Sequence, residues 1–386
     1  MTYNPMRITH INDVLPHIEG RKDFVVARKD GYTVIDYVFA GPDTFDHPAR
    51  IECRGLKFDP DGAILARPFH KFFNIGEKPE TQTGVLDFDA PHVIMDKLDG
   101  SMIHPAIVDG EVVFMTRMGR TDVARKAERH LTFDLARECR GMLEADITPI
   151  FEWTAPDNRI VVRYEGSRLT LLAARHNHTG EYLPLGGLVD VAMFMGVDLV
   201  DTNDSAHTSG PEFLAYARAI TGKEGFVIRF ANGLMVKAKG EDYVLKHRAK
   251  ESILQEKNVL ALILREQLDD VLPLLEDSDR ASVERYRDDV LAGVEATART
   301  ISAFVDCHRD LPQKDFAIGP AAALPPLYRP LAFTVRGIGD ARSVIVASIL
   351  KQCGSASGVD SVRALFGASF SLAANDNETA SEARAA

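Results

Sequence analysis

Lys97 closes the run His92-Val93-Ile94-Met95-Asp96-Lys97 and is followed at once by Leu98-Asp99-Gly100-Ser101. A lysine at a strand end, on a glycine-containing turn, offers its amine to a ligand at the rim of a sheet. Such an amine can attack phosphorus only when neutral, and its ordinary pKa is about 10.4. Neighbouring cations and partial desolvation both lower that value. The chemistry therefore demands further basic residues converging on the same phosphate.

Lys237 and Lys239 lie two apart in Leu234-Met235-Val236-Lys237-Ala238-Lys239. On a strand, that spacing puts both ammonium groups on one face. Alone, the pair reads as a solvated strand face. The preceding segment, Lys223-Glu224-Gly225-Phe226-Val227-Ile228-Arg229-Phe230, and the Asn232-Gly233 turn make it one arm of a hairpin that also carries Glu224. A carboxylate entering an apolar strand is costly unless paired or bound. Glu152, between Phe151 and the chain's single tryptophan, Trp153, poses the same question. It either points to water or accepts from a ribose hydroxyl or a metal-bound water. Upstream, Glu52-Cys53-Arg54-Gly55-Leu56-Lys57-Phe58 and Arg67-Pro68-Phe69-His70-Lys71-Phe72-Phe73-Asn74 add cations beside aromatics. Arginine clamps phosphate oxygens in pairs, whereas lysine acts as a point charge.

The elements that must position these groups are β-rich. Up to about residue 245, short β-like runs (Tyr32–Ile35, Val112–Met115, Leu169–Leu172, Gly225–Phe230) alternate with turn signals at Asp61-Gly62, Asp109-Gly110, Thr179-Gly180 and Asn232-Gly233. A helical stretch is expected over Thr121–Glu144. The pattern predicts an α+β fold with antiparallel sheets over residues 1–245. A smaller all-α domain is expected over 246–371, with helices over Lys250–Cys307, Ala332–Leu350 and Val362–Phe370. A disordered tail is expected over 372–386.

Bulk properties narrow the field without deciding it. The 386 residues, 45% of them hydrophobic, suffice for two domains. No apolar stretch of about 18 residues suggests a membrane span, and the N-terminus lacks a signal-peptide pattern. Four cysteines without a CxxC pair fit a reduced cytoplasm and argue against a zinc ribbon or disulfide scaffold. The net charge of −11 argues mildly against nucleic-acid binding, although a basic groove can coexist with an acidic exterior. Gly222-Lys223 is followed by Glu224 and lacks the upstream glycine of a phosphate-cradling loop.

Taken in order, ECRGLKF, RPFHKFFN, KLDGS, FEWTAPDNRIVV, EGFVIRF, VKAKGEDYV and the later VDCH resemble the motif series of the covalent nucleotidyltransferase superfamily, and most closely the phage T4 RNA ligase 1 family. That resemblance implies an ATP-grasp-like adenylyltransferase domain. It implies that Lys97 attacks the ATP α-phosphorus and forms lysyl-AMP, with Lys237 and Lys239 neutralising the α-phosphate. Arg54 and Lys71 would contact the triphosphate and nucleotide, and Tyr37 would occupy an ATP-contact position. Glu152 would bind the ribose, and Glu224 would place metal and nucleotide. AMP would pass to an RNA 5′-phosphate and be displaced by a 3′-hydroxyl, with Mg²⁺, or Mn²⁺, assisting. Asp269-Asp270 falls where the family has a metal-contacting acidic pair.

Two departures accompany the resemblance. Arg117 stands where the family carries a lysine, expected in the strand after the Asp109-Gly110 turn. Met102 stands where DNA ligases and capping enzymes carry arginine, which favours RNA ligation over those rivals. An inactive RNA-end-binding protein is the alternative from a different class. The expected partner is RNA with 5′-phosphate and 3′-hydroxyl ends, such as a nicked tRNA, acted on by a monomer in the cytoplasm.

Overall fold

The structure is a computed structural model that describes residues 3–203 and 209–372. The chain divides into two compact units, one ending at Val244 and the other beginning at Leu245. The first holds thirteen strands among the described residues: β1 Phe24–Lys29, β2 Tyr32–Tyr37, β3 Arg54–Phe58, β4 Ile64–Ala66, β5 Phe73–Asn74, β6 His92–Lys97, β7 Ser101–Val108, β8 Glu111–Met115, β9 Ile147–Thr154, β10 Arg168–His176, β11 Asp198–Leu199, β12 Gly225–Phe230 and β13 Met235–Lys239. They form three sheets, ordered β1-β2-β3-β4, β5-β13-β12-β6 and β11-β10-β9-β7-β8. All pairings are antiparallel except the short contacts β13–β5 and β10–β11. The fold is α+β, as the alternation of strand and turn signals requires.

Burial explains the stacking of this unit. Met235, Val227 and Phe72 meet Ile150, Ala173 and Met102 in one apolar cluster, so the sheets containing β13 and β9 face each other. Phe226, Ile228, Phe230, Val236 and Ala238 point the other way, onto Phe213 and Ala217 of the helix Gly210–Ala219. The period-two alternation of these strands thus assigns one face to a helix and the other to the opposing five-stranded sheet. Behind the five-stranded sheet, Phe151, Trp153, Leu169 and Leu171 pack against residues of the helices Asp122–Glu128, Phe133–Glu144 and Leu185–Met195.

The second unit is helical. Its longest helix, Asp277–Cys307, buries Val283, Tyr286, Val290, Val294, Ala298, Ile301 and Val305 at three- and four-residue steps, which is one continuous helical face. That face packs in one core with Val259 and Leu260 of Glu256–Leu264, Leu331 and Val335 of Tyr328–Ile338, and Ile345 and Ile349 of Ala341–Gln352.

Several helix limits differ from those read in the sequence. The helical stretch expected over Thr121–Glu144 consists of two helices, because Thr121 and Thr132 each cap an N-terminus, accepting from the amides of Ala124 and Leu135. The segment Lys250–Cys307 is interrupted between Leu264 and Asp277 by two short 3-10 turns, the second containing Pro273. Ala332–Leu350 breaks at Gly339, left-handed at φ 86°, after which Asp340 caps the next helix. The helix expected over Val362–Phe370 is the end of Ala356–Val362 plus a 3-10 turn at Arg363–Leu365. The expected tail falls, from residue 373 onward, outside the described residues. No helix among the described residues is long and apolar enough to cross a membrane.

Candidate active site around Lys97

The site is assembled by strand register. Gly225, the first residue of β12, is paired with Lys97 on one side and Lys239 on the other, and Val227 is paired with Met95 and Lys237. Directly paired residues share a face, so three strands bring Lys97, Lys237 and Lys239 to one surface although Lys97 precedes Lys237 by 140 residues in the chain. Gly225 is the side-chain-free position in that row. A Cβ there would sit 2.0 Å from the Ala238 carbonyl oxygen, so only glycine fits. Glu224, immediately before it, places one carboxylate oxygen on each flanking amine: Oε2 lies 2.8 Å from Lys97 Nζ and Oε1 lies 2.9 Å from Lys239 Nζ.

Electrostatics distribute the protons unevenly over these groups. Burial would lower the Lys97 pKa, but Glu224, Glu152 and Asp99 outweigh it and hold the amine above its ordinary value. This reverses the depression expected from the sequence: the carboxylates, not the cations, dominate the surroundings of Lys97. The depressed amine is Lys237, brought down to about 7 by burial and by Lys71, Lys97, Lys239 and Arg54. Glu224 stays below its ordinary value despite burial, because Lys97 and Lys239 both touch it. Glu152 is pushed up to about 8, chiefly by burial, with Lys97 opposing and Glu224 and Asp99 reinforcing.

Glu152 does not point to water. It is buried, and its Oε1 accepts from the Gly100 amide at 3.2 Å. Gly100 is itself required, since a Cβ would lie 2.3 Å from the Trp153 carbonyl oxygen. The β7–β9 pairing sets Met102 opposite Glu152, and Arg54 NH1 lies 3.5 Å from the Met102 sulfur, so the arginine from β3 reaches the same rim.

Tyr37 forms the other wall. Arg117 lies over its ring, 4.4 Å from the centroid, and Lys71 Nζ stands 5.2 Å from the same centroid. Lys71 also faces Phe45 and Phe73 at 5.4 and 5.5 Å. Arg117 lies not within a strand, as expected, but in the tight turn beyond β8, where its Nε donates to Asp36 Oδ2 at 2.8 Å and its NH2 to the Tyr37 carbonyl at 3.3 Å. The bidentate guanidinium thus does two positioning jobs that an ammonium could not do together.

Lys97, Glu224, Lys237, Lys239, Glu152, Arg54, Lys71, Tyr37 and Arg117 all belong to this constellation. Asp269 and Asp270 belong to the second unit, where they are exposed in a 3-10 turn, Asp269 within the field of Arg287. Among the described residues no group of three or more His, Cys, Asp or Glu side chains has the arrangement of a metal site.

Other buried polar contacts of this unit are not recorded in residue type or spacing. Lys57 is fully buried and donates to the carbonyls of Gly55 at 2.6 Å and Arg117 at 3.0 Å, tying the Arg117 turn to β3. Tyr164 and Tyr243, from distant segments, reach Asp99. Glu52, read only as part of a cationic segment, is the buried centre of an ion triad with Arg67 and Arg175, at 2.9 and 2.8 Å. Tyr3 donates to the same carboxylate.

A sequence model of the RNA ligase family matches residues 52–254. The Thermovibrio ammonificans protein named "Putative RNA ligase" is 40% identical over 182 residues, which is 46% of this chain and 47% of that protein. RNA ligase 1 of Bacteriophage TS2126 is 26% identical over 229 residues, 56% of this chain and 58% of its own. The chain therefore spans about half the length of these curated relatives. Among solved structures, an archaeal ATP-dependent RNA ligase aligns over 71% of this chain and 73% of its own, with a TM-score of 0.45 and 18% identity.

Proposed function

Because the chain belongs to the RNA ligase family, whose sequence model covers residues 52–254, we propose that it is an ATP-dependent RNA ligase with Lys97 as the residue that carries AMP. In the first step the Lys97 nitrogen forms a bond to the ATP α-phosphorus, the bond to the bridging oxygen breaks, and pyrophosphate leaves. AMP then passes to an RNA 5′-phosphate, forming a pyrophosphate linkage and freeing Lys97. An RNA 3′-hydroxyl finally attacks that 5′-phosphorus, AMP departs, and the strand is joined.

One observation carries this reading: a single carboxylate, Glu224, holds both Lys97 and Lys239, with Lys237 beside them on the same face. Glu224 keeps the nucleophile charged and therefore dormant. Drawing the carboxylate off Lys97 removes the largest force that holds its proton and leaves burial to lower the pKa. Lys237 and Lys239 meet the charge that develops on the α-phosphate. Arg54 and Lys71 hold the remaining phosphates, and Tyr37, fixed by Arg117, lines the nucleotide. Glu152, largely neutral near pH 7, both donates to and accepts from a ribose hydroxyl.

Glu224 and Glu152 fit a magnesium or manganese ion only as a partial oxygen set, so phosphate oxygens and water would complete its shell. Such an ion, when bound, supplies charge neutralisation of the triphosphate. The RNA partner follows from the family, with a nicked tRNA as one candidate.

The test is incubation with ATP labelled at the α-phosphate, with and without divalent metal, followed by denaturation. Label that survives denaturation and alkali, is released by acid and disappears in Lys97→Ala is expected, and folded wild-type protein without label would sink the reading. Preference for GTP would indicate capping instead. With 5′-phosphorylated single strands, RNA is expected to be joined ahead of DNA, and the reverse order would assign a DNA ligase.

A further inference from the structure

Asp99 lies two residues after Lys97, yet its carboxylate does not face the ligand side. It is fully buried, and it accepts three hydrogen bonds. Oδ2 takes the amides of Val161 and Val162 at 2.7 and 2.6 Å, and Oδ1 takes the Tyr243 hydroxyl at 2.7 Å. The Asp99 amide in turn donates to the Tyr164 hydroxyl at 3.0 Å. The turn bearing the nucleophile is thus tied on one side to the segment after β9, and on the other to the helix Glu241–Ile253 that follows β13.

Tyr243 has a second contact in the site. Lys239 Nζ, already paired with Glu224, stands 5.1 Å from its ring centroid. One side chain therefore fixes the backbone turn that aims Lys97 and also supports the amine that shares Glu224 with it. A hydroxyl donating to a buried carboxylate is among the stronger single hydrogen bonds, because removing the donor leaves a charge poorly met in a low-dielectric setting. A phenol is rigid, so it sets the position of Asp99 more tightly than a flexible donor would.

We propose that Tyr243 is a positioning residue for the nucleophile, acting through Asp99 to hold Lys97 in the attack geometry. The proposal rests on Lys97 being the AMP carrier. Small displacements of a reacting group lose large rate factors, so the effect belongs to the chemical step and not to ATP affinity.

The test is single-turnover formation of lysyl-AMP from α-labelled ATP across a range of ATP concentrations, in the full chain. Tyr243→Phe keeps the ring and removes only the hydroxyl. It is expected to lower the maximal rate about tenfold while ATP half-saturation moves by no more than about twofold. In an Asp99→Asn background, Tyr243→Phe is expected to add little, because both changes break one link. Tyr164→Phe removes the acceptor of the Asp99 amide and gives a second variant, expected to lower the same rate if Tyr243→Phe fails to fold. Wild-type rates in both phenylalanine variants, with loss only in Tyr243→Leu, would assign the ring a packing role and overturn the proposal. Absence of label in wild-type protein would overturn the functional reading and this proposal together. Labelled wild type with unchanged phenylalanine variants would overturn the proposal alone.

Discussion

Lys97 and Glu224 form an ion pair of 2.8 Å at the place where β6, β12 and β13 meet, and the same carboxylate reaches Lys239. This pairing keeps the Lys97 amine an ammonium, because Glu224 is the largest of the charges that raise its pKa against burial. Glu224→Gln keeps the shape and removes that charge. The limb of the pH–rate profile on which Lys97 loses its proton is expected to move to lower pH. The maximal rate of lysyl-AMP formation is expected to fall by at least about tenfold, since Glu224 also orders Lys239. Rapid-quench measurement of labelling across pH checks both, and an unchanged profile would remove Glu224 from control of the nucleophile.

Lys237 has the opposite character. Its folded pKa is about 7 against an ordinary 10.5, so between those values the unfolded chain binds more protons than the native one. This group therefore makes stability rise with pH across that window and penalises the fold most below it. Lys237→Met is expected to stabilise the protein relative to wild type near pH 6, with an advantage that shrinks as pH approaches 10, while abolishing lysyl-AMP formation. Denaturant midpoints at several pH values, paired with the labelling assay, provide the check. An advantage that grew with pH would contradict it.

Glu152 yields the mirror case. Its folded pKa of about 8 lies above the ordinary 4.5, so the native state holds the extra proton between those values. Its contribution is complete below about 4.5 and is lost as pH rises through 8. Glu152→Gln is expected to flatten the decline of stability across this window, and to weaken ATP binding only modestly near pH 6, where both side chains are neutral. Thermal unfolding at pH 5 and 8, with titration calorimetry of ATP, distinguishes this outcome from a charged ribose acceptor, which the amide would disable at every pH.

The Glu52–Arg67–Arg175 triad is a buried ion network. Burial would raise the Glu52 pKa, but Arg175 and Arg67 pull it down to about 2. Its stabilisation is present above the ordinary value of 4.5 and disappears as pH falls towards 2. Glu52→Gln leaves two buried guanidinium groups without their counter-charge. It is expected to destabilise the protein by about 3–5 kcal/mol, while the variant still forms lysyl-AMP well below its melting temperature. A loss of labelling in the fully folded variant would show that the triad reaches the site after all.

Much of the fold and the site was legible in the chain, because local rules governed it. Period-two alternation in Gly225–Phe230 and Met235–Lys239, with Asn232-Gly233 between them, is enough to pair β12 with β13 and to put Lys237 and Lys239 on one face. The glycines of KLDGS and EGFVIRF mark positions with no room for a Cβ. Helix limits were less legible, since threonine caps at Thr121 and Thr132 divide a segment whose composition is uniformly helical.

The sequence by itself determined which residues are candidates for the chemistry, because residue type and strand spacing are local properties. It could not determine the balance of charge around Lys97, which depends on register between segments more than a hundred residues apart. That register sets Glu224 between two amines, so the cations expected to depress the nucleophile are outweighed by a carboxylate, and the depressed pKa falls to Lys237. Tertiary structure also turned Asp99 inward, onto Val161, Val162 and Tyr243. A buried carboxylate takes whichever donors the fold brings to it, and no spacing in the chain records which those are.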